Sequence, residues 1–143
     1  MDHELAADLG AGGRNLSHTF VFIDACFSGG LIEELLDALP HVVGSTTCTR
    51  KGFGYDDAAT SSGAWTNGFL TQGLMHARCE DVDLAALYTS ARDAYVRQYA
   101  SQGDRPCFFG RTAGVAPCNT EDPRHASDVL PRRAFMARDW LLV

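Results

Sequence analysis

The clearest pattern in the chain is Thr19-Phe20-Val21-Phe22-Ile23, an unbroken β-branched and aromatic run bounded by turn residues. Such a run reads as a strand covered on both faces. It breaks at Asp24-Ala25-Cys26-Phe27-Ser28-Gly29-Gly30 and passes into Leu31 to Leu39, which is helical in period and carries Glu33 and Glu34 in its first turn. Pro40 stops that helix. His41 to Ser45 is a second short strand, and Thr46 to Gly63 reads as a long polar loop of the kind that is usually functional or disordered. Trp65 to Ala77 predicts a helix with Phe69, Leu70, Leu74 and Met75 on its apolar stripe. Asp83 to Ala100 predicts the longest helix, with Leu84, Leu87, Tyr88, Ala91, Tyr95 and Val96 near helical spacing. Cys107-Phe108-Phe109-Gly110 begins a third strand. From Asn119 the chain is polar until Trp140-Leu141-Leu142-Val143, which is expected to dock.

Strand, helix, strand, helix, helix, strand is an α/β order and implies a mostly parallel sheet with helices on its faces. Two or three strands are few for such a sheet, so further strands are expected upstream of this segment. The length of 143 residues fits one domain. Residues 1–118 are read as the domain and 119–143 as a C-terminal tail.

Composition narrows the function classes. Apolar residues make up 45% and charged residues 21%, an ordinary globular balance, and the net charge of −6 disfavours sequence-independent nucleic-acid binding. No apolar run is long enough for a membrane span, and the polar start Met1-Asp2-His3-Glu4 lacks the pattern of a signal peptide. The five cysteines are an odd, widely spaced set without Cys-x-x-Cys. A reducing, cytoplasmic setting therefore fits better than a secreted disulfide framework.

Cys26 falls at the C-terminal end of the first strand, before a Gly-Gly turn into a helix, where open α/β sheets place reacting groups. A helix N-terminus stabilises a thiolate, and the amides of the turn, that of Cys26 included, can face a developing oxyanion. The competing reading is a small residue closing a strand end.

The segment from Val21 to Gly30, with Asp24-Ala25-Cys26-Phe27-Ser28-Gly29 at its heart, resembles the nucleophile segment of the caspase and metacaspase superfamily of cysteine peptidases. Weaker likenesses follow in the family's order: Val42 to Ser45, Asp56 to Ala59 with Gly63-Ala64-Trp65-Thr66, and Ser101 to Pro106. The resemblance covers roughly Asp2 to Val115. It implies an incomplete caspase-like sandwich lacking its N-terminal strands. It also implies a peptidase in which Cys26 forms an acyl-enzyme that water hydrolyses. Asp24, two residues before the nucleophile, is then the residue that selects arginine or lysine, and Asp56 or Asp57 a second acid of that pocket. The plainer alternatives are a capping role for Asp24 and a solvated loop for Asp56 and Asp57.

The family pairs its cysteine with a histidine about 50 residues upstream. Only His3 and His18 precede Cys26. A strand rising about 3.3 Å per residue would hold His18 ~20 Å from the thiol. His41 and His76 fall at the wrong ends of their elements, and His125 lies in the tail. Hence three expectations: a partial peptidase, inactive as this chain alone because the base histidine is absent, one half of a split enzyme whose partner chain supplies the missing strands and the base, or a non-catalytic binding module of the same fold. The other constellations are weak. His76-x-x-Cys79 with Cys107 and Cys118 lacks a zinc spacing, and Gly10 to Gly13 lacks the rest of a phosphate loop. Asp2, Glu4 and Asp8 are compatible with calcium without requiring it. Arg132-Arg133 fits self-processing or a plain surface tail. No cofactor is expected; a peptide or protein is the expected substrate.

Overall fold

A computed structural model of the protein describes residues 4, 7–8, 19–77, 82–99, 105–110 and 136–142. The first apolar run forms strand β1 (Thr19–Ile23). A 3-10 turn over Ser28–Leu31 leads into helix α1 (Ile32–Ala38), and β2 (Val43–Thr46) follows. A two-stranded ribbon comes next, β3 (Asp56–Asp57) and β4 (Ser62–Gly63). Helix α2 (Thr66–Leu74) is π-helical, and α3 (Leu84–Tyr99) is the longest helix. The last strands are β5 (Cys107–Phe109) and β6 (Leu141–Leu142).

The main sheet has the order β5-β2-β1-β6. β1 pairs in parallel with β2, Phe20 opposite Val43 and Ile23 opposite Thr46. It also pairs in parallel with β6, Thr19 opposite Leu141 and Phe20 opposite Leu142. β5 runs antiparallel to β2. The fold is thus α/β with a small mixed sheet. The expected third strand reverses direction, and the C-terminal segment docks as a strand at the other edge.

Two apolar layers cover the sheet, as its unbroken apolar strands require. Phe20, Val43, Trp65, Phe69, Tyr88, Tyr95 and Phe108 pack on one face with helices α2 and α3. Val21, Ile32, Leu35, Leu36, Val42 and Phe109 pack on the other with α1. Phe69 is the hub of the first layer. Its ring stacks on Phe20 at 5.9 Å and Phe22 at 5.4 Å and meets Trp65 at 5.5 Å.

Three sequence expectations change. Met75 leaves the apolar stripe and is 74% exposed. Its amide bonds Leu70 O, five residues back, at 2.8 Å, and this wider winding carries position 75 off the face that Phe69 and Leu74 share. The polar loop is not solvated at its start, because Thr46, Thr47, Cys48 and Thr49 are fully buried beneath the β1 turn. Cys107 is disulfide-bonded, which the odd, widely spaced set of cysteines does not foretell. Among the described residues no helix is long and apolar enough to cross a membrane.

Candidate functional site

The site is built on the turn that follows β1. Cys26 is exposed, and its Sγ lies 3.6 Å from Gly54 O. The chain then reverses through Phe27, held in the left-handed region at φ 60°. Phe27 N donates to Gly52 O at 3.0 Å, and Gly30 N donates to Phe27 O at 2.9 Å. The Phe27 amide is therefore occupied. The Cys26 amide makes no hydrogen bond among the described residues.

Two stretches of the loop after β2 support this turn. Thr47 N extends the β1–β2 ladder to Ile23 O at 3.0 Å. Cys48 lies beneath the turn. Its Sγ is 3.3 Å from Ala25 O and 3.4 Å from Ser28 Oγ, and its amide donates to Ser28 Oγ at 3.4 Å. Further on, Gly54 passes so close that a Cβ there would sit 3.3 Å from the Ala25 carbonyl carbon and 3.4 Å from Cys26 N. Ser28 belongs to the motif read in the sequence, whereas Thr47, Cys48 and Gly54 are not singled out there. The clue was the run of small hydroxyl and thiol side chains directly after a strand, which suits burial with local bonds better than a solvated loop.

Asp24 is half-buried, and both its oxygens are engaged. Oδ2 accepts from Thr66 N at 2.8 Å and Thr66 Oγ1 at 2.6 Å. Oδ1 accepts a short bond from Thr47 Oγ1. Thr66 lies in the first turn of the helical segment that begins at Ala64, where backbone amides lack intrahelical partners. Asp24 thus caps a helix 42 residues away rather than the turn it precedes. Gly63 completes the arrangement, since a Cβ there would overlap Asp24 Oδ2.

Asp57 reaches the same helix start. Its Oδ2 accepts from Asn67 Nδ2 at 3.1 Å and its Oδ1 from Ala59 N at 3.0 Å. Asp24 and Asp57 are therefore drawn to successive residues, Thr66 and Asn67. A carboxylate offers about four lone-pair sites, so each keeps an acceptor direction beyond its protein bonds. Asp56 is exposed on β3 and forms no part of this cluster. Tyr55 stacks on Tyr99 at 5.2 Å, nearly parallel at 9°. Burial, and then the charge of Asp57, raise the Tyr99 phenol above its ordinary value.

The described histidines stay away from this chemistry. His76 Nδ1 is 2.9 Å from Thr71 O at the end of α2, and His41 is exposed before β2. His3, His18 and His125 lie outside the described residues, as do Cys79, Cys118, Asp2, Gly10 to Gly13 and Arg132-Arg133. Among the described residues no group of three His, Cys, Asp or Glu side chains is placed to hold a metal ion. Comparison with protein-family models, with curated proteins and with solved structures finds no match for this chain.

Proposed function

We propose that this chain is a caspase-like cysteine peptidase domain, with Cys26 as nucleophile and Asp24 selecting a basic side chain. One observation carries the reading: an exposed thiol at the C-terminal tip of a strand inside the sheet, with a spare amide beside it and a tight turn leading into a helix. In this reading a base from the missing strands takes the thiol proton, the thiolate attacks a peptide carbonyl, the oxyanion forms against the Cys26 amide, the amine leaves with that proton, and water splits the thioester to free the acid and restore the thiol. Asp24 and Asp57 together place two negative charges at the start of α2. This geometry attracts a guanidinium and repels an acidic side chain.

The test is labelling and turnover with matched reporters. An arginyl chloromethyl ketone alkylates Cys26 faster than an aspartyl one, and arginyl peptides are the ones cleaved. Turnover of aspartyl peptides alone overturns the specificity. Failure of both arginyl probes overturns the peptidase reading.

One observation favours a second reading, a module completed by another strand. β6 pairs only with Thr19 and Phe20, so Val21–Ile23, the half of β1 nearest Cys26, has no partner on that side among the described residues. An open edge invites an added strand, and such a strand could bring the base. Molecular mass in solution decides: a monomer at all concentrations counts against it.

A further inference from the structure

Three large apolar side chains are exposed among the described residues, and two of them touch each other beside the nucleophile. Phe27 is 51% and Phe53 is 53% exposed, and their rings meet at 5.2 Å and 60°. Phe27 is joined to Cys26 through the chain. Phe53 lies between Gly52, which accepts the Phe27 amide, and Gly54, whose carbonyl faces the Cys26 sulfur. One loop therefore fixes the thiol and the ring pair together.

Phe27 occupies a backbone region that glycine or asparagine enters more easily than a residue of its kind. Core packing does not explain a large ring there, because half of it faces solvent. Strain of this sort persists where the surroundings enforce it, and it concentrates at ligand sites.

We infer that Phe27 and Phe53 form an apolar subsite that receives one hydrophobic side chain of the substrate, next to the bond Cys26 attacks. The inference rests on the peptidase reading and names a second feature of its substrate: a basic residue for Asp24 with an apolar neighbour for the ring pair. Size decides the occupant. A stable protein interface needs roughly 800 Å² from each partner, far more than two side chains offer, whereas an open pair of tilted rings suits a single aromatic or branched side chain.

The test uses the intact chain and needs no hydrolysis. Alkylation of Cys26 by N-benzyl iodoacetamide is compared with alkylation by iodoacetamide, each rate divided by that of a free thiol such as glutathione. The benzyl reagent is expected to gain about tenfold, the scale of one well-placed apolar group. Phe53→Ala returns the benzyl-to-iodoacetamide ratio, both rates taken on the same variant, to the free-thiol value, with the circular dichroism spectrum checking the fold. Equal ratios for the intact chain and glutathione overturn the subsite, as does a gain that survives Phe53→Ala. Retained gain in a chain that neither takes the arginyl ketone nor cleaves an arginyl peptide supports the subsite and removes the peptidase, so the two failures are distinguishable.

Discussion

At the scale of single residues, Asp24 and Gly63 act as one device. The Asp24 carboxylate fills the space a side chain at position 63 would need, and it ties β1 to the start of α2. Gly63→Ala should cost about 1–3 kcal/mol, the usual penalty for overpacking, and should displace the Asp24 carboxylate. Thermal unfolding measures the first effect and arginyl-ketone labelling the second. Asp24→Asn is the gentler probe: it keeps an oxygen for Thr66 and removes the charge. The arginyl reagent should then lose its advantage over a norleucyl one, while iodoacetamide still finds Cys26. If the advantage survives, Asp24 only caps. The buried Cys48 gives a further contrast, since iodoacetamide should modify Cys26 at least roughly tenfold faster. Of these features, Cys26 and Asp24 were legible in the sequence because a strand pattern ran directly into them. Thr47 and Thr66 were not, because their bonds to Asp24 span 23 and 42 residues and leave no local periodicity.

At the scale of elements, helix α2 carries most of the weight. Its first turn holds the two carboxylates, and Phe69 holds the aromatic layer. Phe69→Ala should cost about 3–5 kcal/mol, read from denaturant midpoints at unchanged slope. The helix itself was visible in the sequence. Its π-winding was not, since the apolar positions fit ordinary helical spacing until Met75, and only the bond from Met75 to Leu70 reveals the wider turn. The neighbouring α3 end carries a pH signature. Tyr99 has a raised pKa, so the folded state favours its neutral form. That contribution is fully present below the ordinary tyrosine value of about 10 and is lost as pH rises through the folded value. Unfolding measured between neutral and strongly alkaline pH should show the native chain losing stability that a Tyr99→Phe chain keeps. A constant difference removes the argument.

At the scale of the whole molecule, the sheet joins its first strand, β1, to the C-terminal strand β6. Ala137 is buried, its amide donates to Val82 O at 2.7 Å, and β6 pairs with β1. Removing residues 136–143 should lower the melting temperature and promote self-association through the exposed β1 edge, both visible on heating and by light scattering. The α/β class was readable from the order of elements. The direction of β5 and the docking of β6 were not, because two- and three-residue strands carry no pattern that distinguishes parallel from antiparallel pairing.

The long reach of Asp24 has one more consequence, in time rather than space. During synthesis Asp24 leaves the ribosome well before Thr66, so its carboxylate cannot complete its bonds until the downstream helix arrives. A nascent chain therefore carries Asp24 without its Thr66 partner until translation has passed that residue.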